Sequence, residues 1–233
     1  MRTGLGLCAV VAAITCAPRA SHAGDDAAAA ITAAAPACPA ERAHCFAIEL
    51  HVAADDSGLV VTPAWVAAQL AEANRHFAAI DVGFELESVD ALPASAAHIV
   101  TRRDRDRLGD GHLDRHRIEV FLIAKLEDVD NPGDPVFGVT WRQPRDDRKY
   151  VFVAANAFGR TLAHELGHVF GLPHSEYAIS IMNKTPRDEP PMEQRTFADE
   201  EVALLRKGLT RIVREHSFRS RDPRGSRGPA ATP

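Results

Sequence analysis

Apolar and polar positions alternate from Phe46 to Val52, with Phe46, Ile48, Leu50 and Val52 set against Ala47, Glu49 and His51. A period of two predicts a strand with one buried face. Thr62-Pro63 then reads as a helix start, with threonine as N-cap and proline in the first turn. Val66, Leu70, Ala73 and Phe77 follow at steps of four, three and four, giving one apolar stripe. Val82, Phe84 and Leu86 alternate again and predict a second strand. RIEVFLIAKL predicts a third, its run Val120-Phe121-Leu122-Ile123 buried on both faces.

Beyond the turn-rich NPGDP, Val136–Trp141 and Tyr150–Ala154 read as two further strands joined by a charged turn. A helix carrying TLAHELGHVF comes next. After an irregular stretch, a closing helix presents Val202, Leu205, Leu209 and Ile212 on one side. Thr196 and Asp199 are placed as its capping box. Strands come early and helices late, which predicts an α+β domain with a mixed sheet. TRRDRDRLGDGHLDRHR, between the second and third strands, is expected to be a solvated loop. A calcium loop is the sharper alternative, since Asp104, Asp106, Asp110 and Asp114 supply oxygens. Their spacing does not support it, because Leu108 and Arg115 stand at ligand positions.

The chain ends refine this picture. Arg2, the apolar run Leu5–Ala17 and Ser21-His22-Ala23 have the form of a secretory signal over residues 1–23. The run is too short for a bilayer anchor, and no later stretch is long and apolar enough. Residues 24–44 read as an alanine-rich linker or short pro-segment, 45–216 as the domain that carries the candidate chemistry, and 217–233 as a disordered tail. Of 233 residues, 45% are hydrophobic and 25% charged, enough for one good core. Removing residues 1–23 takes away two arginines and moves the formal charge from −5 to −7. That acidic balance gives no electrostatic reason to bind nucleic acid. The expected form is a secreted or periplasmic monomer with no integral membrane segment. Cys38 and Cys45 would remain, and in an exported chain they predict a disulfide closing CPAERAHC.

The candidate chemistry lies in TLAHELGHVFGLPHSEYAISIMN, residues 161–183. His164 and His168 are four apart, so on a helix they project from one face a turn apart. Gly171 suits a left-handed helix end, and Pro173 prevents the helix from continuing. The chain can then turn back and bring His174 to the same ion. HELGH alone is a weak signal, since helices often carry His and Glu on solvated faces. Three neutral nitrogens with one open position describe a catalytic zinc site, with Glu165 placed to move a water proton.

HELGHVFGLPH fits the pattern HExxHxxGxxH, and SIMN follows eight residues beyond His174. In this the chain resembles the metzincin zinc peptidases. Ser175 after the third histidine and the closing helix resemble the matrixin branch. The resemblance implies a mostly parallel twisted sheet, an active-site helix, a methionine turn and a C-terminal helix. It implies one catalytic zinc held by His164, His168 and His174, with Glu165 as general base and acid. Met182 would form an apolar floor beneath them. An edge strand at Val136, Gly138, Val139 and Trp141 would bind extended polypeptide through its backbone. A cysteine of a matrixin pro-segment can block the zinc, a second role open to Cys38. Asn183 and Lys184 do not match the astacin route to a tyrosine ligand, and no upstream His/Asp cluster matches a second matrixin zinc. The implied function is an exported zinc endopeptidase. A zinc-stabilised binding or inhibitory module without turnover is the alternative, and it predicts a broken ligand set or a missing base.

Overall fold

A computed structural model of the protein describes residues 23–112, 116–145 and 147–223. Five strands form the main sheet: β1 (His44–Asp55), β3 (Val82–Leu92), β5 (Ile118–Ile123), β7 (Gly138–Arg142) and β8 (Lys149–Ala154). Their order is β3-β1-β5-β8-β7; all pairs are parallel except β7 with β8, so β7 is an antiparallel edge. Two short strands, β2 (Gly58–Leu59) and β9 (Ser220–Arg221), pair antiparallel with opposite ends of β1. A separate two-residue ladder joins β4 (His98–Ile99) to β6 (Lys125–Leu126). This is the expected α+β class with a mixed, mostly parallel sheet.

Alternation assigns the sheet's two faces. Ile118, Val120, Leu122, Val151 and Val153 join one core, and Phe121, Ile123, Tyr150, Phe152 and Ala154 join the other. The first core packs helices α1 (Ala23–Ala34), α2 (Pro63–Phe77), α4 (Thr161–Val169) and α5 (Asp199–Glu215). The second lies beneath α3 (Arg102–His112). Every residue of β5 is buried, Glu119 included, and its carboxylate meets buried His51 of β1 at 2.8 Å.

α2 behaves as its pattern predicts. Thr62 Oγ1 accepts from the Trp65 amide at 3.2 Å, and Val66, Leu70, Ala73 and Phe77 are all buried. Two polar residues on this helix align its neighbours. Asn74 exchanges hydrogen bonds with both main-chain groups of Phe84 on β3. Gln69 donates to Phe158 O at 2.8 Å and accepts from the Leu162 amide at 3.0 Å, so it fills the N-cap role that Arg160 leaves empty at α4. Phe170, just past α4, meets Phe46 and Phe77 edge-on at 5.6 and 5.1 Å and anchors the helix's far end.

Four expectations are corrected. The supposed linker is helical over α1 and buries Ile31 against the first core. The charged connection is largely α3, not a loop: Arg105 is buried, donates to Glu127 O at 2.7 Å and stacks 4.8 Å from Trp141. Its aspartates have protein partners, Asp104 with Thr101, Asp106 with Trp141, and Asp110 with Gln143 and Arg145; Asp114 lies outside the described residues. The start of the supposed tail is ordered, since Ser220 and Arg221 pair with Phe46 and Cys45. Lastly, α5 begins after Ala198, whose amide donates to the Glu201 carboxylate at 2.8 Å, so Thr196 and Asp199 are not its capping pair. Cys38 and Cys45 form a disulfide, which leaves Cys38 no thiolate for a metal. The expected signal over 1–23 falls almost wholly outside the described residues, and among these no helix is long and apolar enough to cross a membrane.

Gly208 marks where α5 meets the end of α4: a Cβ there would lie 1.8 Å from Phe170 O. Glycine inside a helix costs about 1 kcal/mol relative to alanine, so propensity alone favours Gly208→Ala. The clash should reverse that sign and lower stability by about 1–3 kcal/mol or more, measured by urea denaturation. A stabilised variant would show that this contact does not constrain the fold.

Candidate metal centre

α4 has nine residues, and its apolar positions Leu162, Ala163, Leu166 and Val169 are buried against the first core. That burial rotates His164 and His168 toward the open side. Gly171 has φ 103°, a left-handed conformation in which its amide donates to His168 O at 3.1 Å and Leu172 N donates to Gly167 O at 2.9 Å. The reversal returns His174 to the helix. Ligand nitrogens of His164, His168 and His174 all lie within 4.8 Å of one another.

Ring orientation is set from behind. His164 Nδ1 donates to Ile181 O and His168 Nδ1 to Leu172 O, each at 2.7 Å. With Nδ1 occupied, Nε2 of each ring is the free nitrogen. His168 Nε2 and His174 Nε2 are 3.2 Å apart. Two nitrogens about 2.0–2.1 Å from one tetrahedral zinc would be separated by about 3.3 Å, so the donor set fits that ion. Burial pushes His164 and His174 down to about 4 and also lowers His168, keeping the rings in the neutral form that binds metal.

Met182 is fully buried beneath α4. A Cβ on Gly167 would lie 2.7 Å from its Sδ, so the glycine between the two helical histidines admits the methionine. The Met182 amide donates to Ser180 Oγ at 2.8 Å, and the Ser180 hydroxyl lies 2.7 Å from both oxygens of buried Glu201. Glu201 thus caps α5 and fastens the turn whose Ile181 carbonyl orients His164.

Glu165 is buried, and that burial pushes its pKa up to about 7, against the opposing Thr140 hydrogen bond. Thr140 Oγ1 lies 2.9 Å from Glu165 Oε2 and 2.7 Å from Glu165 O, sharing one proton between them. Gly138 is required here, because a Cβ would lie 2.8 Å from Glu165 Oε1. Glu165, His168 and His174 line one cleft of about 480 Å³ with Gly138, Val139 and Trp141. Val136 precedes the strand and is not among its lining residues; the Val139 and Trp141 side chains pack on the second core. Thr140, Ser180, Glu201 and Lys149 escaped the sequence reading. Only Thr140 carried a signal, as the polar residue between Val139 and Trp141 on an alternating strand.

No family model and no curated protein sequence matches the chain. Among solved structures it is similar to metalloproteinase-II from Bacteroides fragilis, with a TM-score of 0.50 at 12% identity, over 73% of this chain and 54% of that one. It thus spans about half the length of that structure. An archaemetzincin from Methanopyrus kandleri gives a TM-score of 0.48 at 16% identity, over 71% of this chain and 96% of that chain. A zinc-dependent peptidase from Methanocorpusculum labreanum gives 0.42 at 16%, over 68% and 99%. The likeness to metalloproteinase-II is one of fold.

If Glu201 holds the turn that orients His164, Glu201→Gln should weaken zinc binding by roughly 10-fold to 100-fold, measured by competition with a chromophoric chelator. Unchanged affinity would disconnect Glu201 from the metal centre.

Proposed function

We propose that the protein is an exported, zinc-dependent endopeptidase of matrixin-like type, with Glu165 as general base and then general acid. One observation carries this reading: of three convergent imidazoles two, His168 and His174, line a cleft with a buried carboxylate and the free edge of β7. His164, His168 and His174 would hold the ion. Zinc bound there would supply Lewis acidity, polarising a carbonyl and acidifying a water. The chain's own part is positional and protic.

β7 pairs with β8 on one side only, and its other edge can take up an extended polypeptide by main-chain hydrogen bonds. Gly138, Val139 and Trp141 would contribute backbone, and Thr140 would keep one Glu165 oxygen fixed. Glu165 would accept the proton of the attacking water and return it to the departing amine. A carboxyl group whose pKa is near 7 suits both transfers. The intact ligand set and base speak against a module without turnover. Ser175 beside His174 supports the matrixin-like type. The Cys38–Cys45 disulfide fits an oxidising compartment outside the cytosol, where a secretory segment over residues 1–23 would deliver the chain.

Zinc-loaded protein and Glu165→Gln are compared for metal content and for hydrolysis of an unfolded protein substrate. The expected result is equal zinc with a rate lowered roughly 10²-fold to 10⁴-fold. Full activity in the variant would remove Glu165 from the reaction, and an inactive parent with full zinc would favour a binding module.

A further inference from the structure

Positive charge gathers where the cleft meets a second, larger cavity. Arg142 ends β7, and Lys149 begins β8 directly opposite it in the antiparallel register. Arg142 follows Thr140 by two residues, so it leaves the strand on the face that carries the Thr140–Glu165 contact. Like charges directly opposite one another destabilise a strand pair. Lys149 is held by main-chain oxygens at the end of α4, donating to His168 O at 2.6 Å and Val169 O at 3.3 Å. Arg211 of α5 reaches the same place: its Nη2 lies 3.1 Å from where a Cβ on Gly171 would sit.

These cations have little local compensation. Arg211 has no ion-pair partner among the described residues. Arg142 has Asp147 at 3.6 Å, and both side chains are largely exposed. Other carboxylates on the cavity wall are engaged elsewhere, Glu119 with His51 at 2.8 Å and Glu215 with Arg214 at 3.0 Å. The cavity measures about 870 Å³ and shares Arg142, Lys149 and Gly171 with the cleft that holds Glu165 and His168. The opposite end of β7 differs in character. Phe137, just before Gly138, and Phe158 are both exposed, with ring centroids 4.8 Å apart.

We propose that Arg142 and Arg211 form a subsite for an acidic side chain of the polypeptide substrate, on one side of the scissile bond only. This rests on the peptidase reading above. A strand rises about 3.3 Å per residue, so a peptide residue two to four positions from the bond beside Glu165 comes level with Arg142. A carboxylate there would meet guanidinium groups able to pair with it in a two-pronged fashion. At the aromatic end Phe137 and Phe158 are exposed, and Arg160 beside them is engaged with Met192 O at 3.0 Å, which makes the preference one-sided.

The test uses C-terminally amidated peptides, so that only side chains supply carboxylates. Each carries Asp or Glu two to four residues from a common scissile bond, on either side, and is matched by an Asn or Gln counterpart. With zinc-loaded parent, kcat/KM should be about tenfold higher for the acidic peptide on one side. That ratio should fall to about one in Arg142→Gln/Arg211→Gln, with folding checked by circular dichroism. Arg211→Gln alone, on an exposed helical position, should lower it severalfold if the double variant does not fold. No acidic preference in the parent, an equal preference on both sides, or a ratio retained in the variants would overturn the subsite. If the zinc-loaded parent cleaves none of the peptides, the peptidase reading fails. Fluorescence anisotropy of the same intact peptides then decides the subsite: tighter acidic binding by parent than by variant upholds it, and equal binding overturns it.

Discussion

The Ile181 carbonyl is the contact on which the metal centre depends most. It accepts from His164 Nδ1 at 2.7 Å and lies one residue from both Ser180 and Met182. An imidazole packed against a helix can rotate unless its second nitrogen is tied, and a ring free to rotate spends little time aimed at a metal. Tying it requires a carbonyl from another segment to arrive at a fixed depth. That depth is set from below by Met182 under Gly167 and from the side by Glu201 through Ser180. The closing helix α5, the turn and α4 therefore form one mechanical unit. Its far end is pressed together at Gly208 and Phe170, where no side chain larger than hydrogen fits.

The same dependence explains which parts could be read from the chain alone. HELGHVFGLPH is local: two histidines on one helical face, a glycine with positive φ and a proline that stops the helix all act within eleven residues. Nothing distant has to be known. Glu201 is different, because its value comes from Ser180, 21 residues away, and from burial that no local pattern signals. Thr196 looks like the better cap, yet the chain there is occupied in pairing with Ile179 and Ile181. α3 is hidden in the sequence because its apolar content is nearly confined to Leu108, while the buried side of the helix is made by Arg105 stacked on Trp141. A buried arginine satisfied by a carbonyl and an indole is indistinguishable in sequence from a solvated one. α1 is hidden for the related reason that Ile31 anchors an otherwise alanine-rich segment.

The strand pattern was legible because each strand is half-buried or wholly buried in blocks of matching residues, and the alternation survives without knowledge of its partners. Register and order were not legible. That β7 is the antiparallel edge follows from the crossing of the chain between β5 and β8. The consequence is large, since an edge lying beside α4 is what the proposed binding of an extended chain requires.

Groups that are costly to bury or to place together converge on one seam between β7 and α4. Glu165 is a carboxyl group withdrawn from water, the histidines are held in their neutral form, and Arg142 faces Lys149 across a strand pair. Each arrangement opposes stability by itself. None is needed to complete a core, because the apolar clusters on both sheet faces are continuous without them. Their concentration in one cleft is what the site proposed above would show and a purely structural helix end would not. The cost falls at the sheet edge, where the backbone is already unpaired. There the polypeptide proposed above would supply the missing hydrogen bonds and countercharge together.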